Sequence, residues 1–182
     1  MNRKNHTFIL HLSYAALCLA LCLLLPFLTG QIPQIGKMLS PMHLPVLLAG
    51  FLCGPWWAAL VGILAPVLRH FWLGMPPFPA FIPMCFELAA YGISAGLLYR
   101  FLPKKNIHIY TSLLGAMLIG RIVWGLSSAI TMLILGNPFT WEIFFTGAFV
   151  SAVPGIILQI LVIPLLVLAL QKAHIITDQS EI

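Results

Sequence analysis

The stretch Phe8-Ile9-Leu10-His11-Leu12-Ser13-Tyr14-Ala15-Ala16-Leu17-Cys18-Leu19-Ala20-Leu21-Cys22-Leu23-Leu24-Leu25-Pro26-Phe27-Leu28 carries no formally charged residue. An apolar run of roughly 20 residues is what a helix needs to cross a ~30 Å hydrocarbon core. Arg3 and Lys4 precede it, the order also found in a secretory signal peptide. A signal peptide, however, has an apolar region of only about 7–15 residues followed by a small-x-small cleavage site. This run is longer, and Pro26-Phe27-Leu28-Thr29-Gly30 supplies no such site, so the segment reads as a retained transmembrane helix.

The rest of the chain repeats the pattern. Of 182 residues, 61% are hydrophobic and 7% are charged, against about 25% charged in an average soluble domain. Apolar spans are expected at about 8–28, 43–53, 56–73, 81–101, 110–135 and 141–170. Between them, Gly54-Pro55, the proline cluster Gly74–Pro79, Pro103-Lys104-Lys105-Asn106 and Gly136-Asn137-Pro138 break any regular helix, because proline removes a backbone donor and clashes with the preceding turn. The second span is too short to cross as a straight helix and is expected to pack inside the bundle. Pro66 predicts a kink in the third span, and Pro154-Gly155 and Pro164 predict interruptions of the sixth. The expectation is an all-α integral membrane protein, a compact six-transmembrane-helix bundle with a short second helix, forming a single domain over residues 1–182.

The net charge of +5 comes from scattered residues at span ends, without the basic stripe that nucleic acid requires. Arg3, Lys4, Arg100, Lys104, Lys105 and Lys172 fall on one side of a six-span topology, and the opposite loops hold only Lys37. The positive-inside rule then places both termini in the cytoplasm of a multi-pass cell-membrane protein. Cys18, Cys22, Cys53 and Cys85 sit within apolar runs without CxxC spacing, which points to buried, reduced thiols rather than disulfides or metal ligands. No catalytic motif is present: there is no HxxxH, no GxSxG elbow and no phosphate loop, so the chain does not read as an enzyme.

Ionisable groups within spans carry the functional information, because a charge in the membrane needs a partner, a cavity or a ligand. Arg69 beside His70, Glu87, Arg121 and Glu142 are the candidates. Glu87 lies about six residues, roughly 9 Å, into the fourth span, and Arg121 falls near the midplane of the fifth. Two readings of Glu87 and Arg121 stand side by side: a structural ion pair, or contacts to a ligand. Arg69 has Glu142 as its one evident partner; if unneutralised, its planar fork suits a carboxylate or phosphate and hence an anionic or zwitterionic solute. A candidate outward pocket comprises Met42, His43, Arg69, Phe78, Glu87, Arg121 and Trp141. His43 allows a metal or haem ligand but is more simply a helix-start histidine bonded to a neighbour. Small-residue pairs at Ala16/Ala20, Gly92/Gly96 and Ala148/Ala152 permit close helix approach, either within the bundle or to a partner.

These features together resemble the substrate-binding S components of energy-coupling factor (ECF) importers. The resemblance covers the whole chain. Its carriers are the six spans, Ala16-x-x-x-Ala20, Ser40-Pro41-Met42-His43-Leu44-Pro45-Val46-Leu47-Leu48-Ala49-Gly50 before Gly54-Pro55, Phe86-Glu87-Leu88-Ala89-Ala90-Tyr91-Gly92, and Gly120-Arg121-Ile122-Val123-Trp124-Gly125. It implies capture of a vitamin or related micronutrient in the outer half of the bundle, with Gln31–Pro41 and Gly74–Pro79 as gates. It also implies partners, a transmembrane coupling protein and two ATPases, with Ala16 and Ala20 meeting the coupling protein. ATP would be hydrolysed by those partners, and the chain itself needs no cofactor or metal. Pantothenate or a nicotinate-like acid suits the arginines; haem and a queuosine precursor are alternatives within the same family. A self-sufficient proton-coupled transporter and a non-transporting membrane assembly protein are the alternatives outside it.

Overall fold

The computed structural model describes residues 3–28, 38–103, 106–173, 175 and 176. Residues 31–37 of the expected gate Gln31–Pro41, Lys37 among them, the Lys104-Lys105 turn and the tail from 177 onward lie outside the described residues. The elements are α1 (Arg3–Leu28), α2 (His43–Cys53), α3 (Pro55–Leu73), α4 (Phe81–Phe101), α5 (Asn106–Ile134), α6 (Trp141–Phe145), a π-helical turn (Thr146–Val150) and α7 (Val153–Lys172). No strand occurs among the described residues.

Five helical stretches are long and apolar enough to cross a membrane: Asn5–Leu28, Pro55–Leu73, Phe81–Phe101, Asn106–Ile134 and Trp141–Lys172. Their outward residues include Leu17, Leu24, Leu118, Ile130 and Leu161, all exposed. In water such surfaces would aggregate; against lipid tails they are at home. Aromatic rings mark the span ends, with Trp56, Phe101, Phe71, Trp72 and Trp141 exposed where an interfacial belt would hold them.

The short α2 sits inside this shell, with Val46, Leu47, Ala49 and Phe51 fully buried. It is joined to α3 by Gly54, whose φ of 85° and ψ of 176° favour glycine, and Pro55 opens α3 where no N–H is needed. α3 and α4 interlock backbone to backbone. A Cβ on Gly62 would lie 2.6 Å from the Leu88 carbonyl carbon, and one on Gly92 would lie 2.7 Å from that of Ala58. Gly92, Gly96, Ala148 and Ala152 are thus packing residues within the bundle. Ala16 and Ala20 differ: both are exposed, while Ala15, Cys18 and Cys22 on the other face of α1 are buried.

The sixth span is interrupted just before Pro154, as expected, but not at Pro164. Pro164 lies within the continuous helix α7, and the break is the π-helical turn with the two residues after it. Pro154 falls in the first turn of α7, where its missing donor costs nothing. Pro66 likewise lies within a continuous α3. All four cysteines are free thiols, and Cys22 Sγ donates to the Met42 carbonyl at 3.5 Å, tying α1 to the start of α2.

Candidate functional site

A cavity of about 820 Å³ opens at one end of the bundle. Its walls come from Pro26 near the end of α1, Met42 and His43 at the start of α2, and Arg69 near the end of α3. The 75–80 loop, the first two turns of α4, the second half of α5 and the start of the sixth span complete it. In helices that alternate in direction, these segments share one end, so the cavity collects the loop-proximal portion of every span.

At its base three helices converge on one carboxylate. Arg121 Nη1 on α5 donates to Glu87 Oε1 on α4 at 2.9 Å, and His43 Nε2 on α2 lies 3.4 Å from the same oxygen. Glu87 and His43 are each 3% exposed and Arg121 is 7% exposed. The His43 ring also meets Tyr91 edge to face, with centroids 5.2 Å apart. The cluster is not saturated: both ring nitrogens of His43 and Nε of Arg121 are buried without a hydrogen-bond partner. Since buried polar atoms are nearly always paired, this base has unused hydrogen-bonding capacity beside an open volume.

Arg69 is arranged otherwise than expected. No ion pair joins it to Glu142 among the described residues. Its Nη1 donates instead to the Leu23 carbonyl at 2.8 Å, and its guanidinium lies 5.5 Å from the Phe27 ring centroid. The separation matters, because both Arg69 and Glu142 line the cavity as individual charges. Arg121 is thus neutralised by Glu87, and Arg69 is left without an ion pair among the described residues, with Glu142 on the same cavity lining.

Of the seven expected pocket residues, Met42, His43, Arg69, Glu87 and Arg121 line the cavity. Phe78 and Trp141 do not. Phe78 is 60% exposed and borders a separate apolar groove of about 460 Å³ with Ile82, Phe86 and Ile130. Trp141 is 79% exposed and packs edge-on against Phe144, as a belt residue does. Residues not anticipated are Trp124, Ser128, Thr131 and Met132 on α5 and Met84 on α4. Their signal was present: positions 124, 128, 131 and 132 follow Arg121 at helical spacing and share its face.

The 75–80 loop is fastened to the bundle by His70. Its Nδ1 lies 2.7 Å from the Pro76 carbonyl oxygen, and its ring stacks on Phe81 with centroids 4.1 Å apart. The loop thus forms one wall of the cavity mouth in a defined position.

A shell of long apolar helices around an internal cavity with a polar base defines the class: an all-helical membrane protein. The chain matches the family model of the ECF transporter substrate-specific component over residues 11–167 and belongs to that family. It is therefore a transporter subunit that works with ECF transmembrane and ATPase subunits. No curated protein and no solved structure gives a significant match.

Proposed function

We propose that this chain captures a vitamin-like micronutrient in the 820 Å³ cavity from outside the cell and releases it into the cytoplasm. The supporting observation is the under-saturated His43–Glu87–Arg121 cluster at the cavity base. His43, Glu87 and Arg121 all line the cavity, so a ligand seated there meets this polar cluster. The charge bias at span ends supports cytoplasmic termini and an outward cavity mouth. Residues 31–41 and 74–79 would then be the gates.

Energy would come from elsewhere. ATP would be hydrolysed by two partner ATPases and transmitted through a transmembrane coupling protein, with no cofactor held in this chain. Ala16 and Ala20 lie exposed on α1, where small side chains let a partner helix approach closely. Purified protein in lipid nanodiscs should retain a small molecule identifiable by mass spectrometry. Uptake into proteoliposomes should require the partner subunits and ATP. Proton-driven uptake by this chain alone would establish a secondary transporter instead, and absence of any ligand alongside a stable non-transporting partner would establish an assembly protein.

A further inference from the structure

We propose that the cavity takes a net-neutral bipolar solute, with an anionic group at Arg69, a cationic or strongly donating N–H group at Glu142, and an apolar body between them. The inference rests on reading this cavity as the solute site. It begins with the charges lining the cavity: Arg69, Glu87, Arg121 and Glu142. Glu87 and Arg121 cancel each other at 2.9 Å. Among the described residues Arg69 has no ion pair: it meets the Leu23 carbonyl and the Phe27 ring. Glu142 has no ion pair and no side-chain hydrogen bond among the described residues.

Two opposite charges therefore face one cavity from α3 and α6 without neutralising each other. A purely anionic solute gains from Arg69 but is opposed by Glu142, and a purely cationic one meets the reverse. Arg69 is 3% exposed and Glu142 is exposed, and a molecule carrying both kinds of group answers both charges at once. Arg69 retains N–H donors beyond the one on Leu23, enough to grip a carboxylate. The cavity lining also includes Met42, Met84, Met132 and Trp124. These soft, polarisable surfaces fit an apolar or flat body better than a polyhydroxylated one.

The test uses the full chain in lipid nanodiscs, incubated with the deproteinised small-molecule fraction of yeast extract. The retained molecule is extracted, identified, and its binding measured to wild type and to Arg69→Gln, Arg69→Lys, Glu142→Gln and Glu142→Asp. The expected molecule carries both an acidic and a basic or N–H-rich group. Glu142→Gln and Arg69→Gln should each weaken its binding by about tenfold or more, while Glu142→Asp retains most of it. The acylated form of the molecule, which lacks the positive charge, should bind Glu142→Gln better than wild type. A merely structural Glu142 would not produce that reversal. Should Arg69→Gln fold poorly because the Leu23 bond is lost, Arg69→Lys carries the measurement. A retained molecule that is a simple anion, bound equally by Glu142→Gln, overturns this inference and leaves solute capture standing. Retention of nothing by well-folded wild type overturns the capture reading itself, and the inference with it.

Discussion

Arg121 and Glu87, separated by 34 positions in the chain, meet at 2.9 Å in the interior of the bundle. The pair joins α4 to α5 and recruits His43 of α2 to the same carboxylate oxygen. Neither charge could remain alone at that depth. Breaking a buried pair by removing one partner costs about 3–5 kcal/mol, because the survivor stays buried and uncompensated. Glu87→Gln and Arg121→Gln should each reduce folded yield and lower the unfolding temperature in detergent. The double variant should lose less than the sum of the two. Single variants as stable as wild type would show that the pair does not hold the helices together.

Gly92 gives a prediction about packing alone. A Cβ there would stand 2.7 Å from the Ala58 carbonyl carbon, a backbone atom that cannot rotate away. Gly92→Ala should force α3 and α4 apart and destabilise the protein by roughly 1–3 kcal/mol. Thermal unfolding of the purified variant measures this; an unchanged midpoint would mean that the interlock is looser than it stands here.

Cavity membership separates Trp141 from Ser128. Trp141→Leu, at an exposed position, should leave solute affinity unchanged. Ser128→Leu places an apolar side chain at a buried lining position and should abolish binding in protein that still elutes as a single species. Binding assays on the two purified variants should therefore diverge, and equal losses would mean that the cavity is not the solute site.

Docking is tested on the other face of α1. Ala16→Trp and Ala20→Trp add bulk to exposed positions, outside the buried core. Each should keep solute binding while preventing assembly with the coupling protein and abolishing uptake. Loss of solute binding together with uptake would instead indicate that the change propagates into the bundle.

The orientation carries its own measurement. In a background without native cysteines, a cysteine at position 37 should react with an impermeant reagent outside intact cells, and one at position 104 should not. The opposite labelling would invert the proposed topology and turn the cavity mouth toward the cytoplasm.

Much of the architecture was legible from hydropathy, because a bilayer imposes one length and one kind of surface on every span. The boundaries expected at 43–53 and 81–101 coincide with α2 and α4. The placement of α2 inside the shell also followed, since an eleven-residue apolar helix has no other way to hide its ends. Proline was less reliable. Pro164 stays within α7, while the break at 146–152 ends just before Pro154, because a helix packed by neighbours tolerates one lost hydrogen bond in its interior. There Gly147 accommodates the Trp124 ring and Gly125 accommodates Phe144, contacts between distant segments.

The charges within spans announced a site, since lipid permits few of them, and five of seven candidate residues do line the cavity. Phe78 and Trp141 were misplaced because nearness to a span end does not say whether a ring turns inward or toward lipid. The sequence alone determined that this chain lives in a membrane and which ionisable groups required an explanation; of the six expected spans, five are long enough to cross and the second is not. Only the tertiary structure decided which partner each charge found. Glu87 took Arg121, while Arg69 took the Leu23 carbonyl and, among the described residues, no ion pair with Glu142, because ion pairing depends on a few ångströms of approach that helix rotation and depth set and that no local pattern encodes.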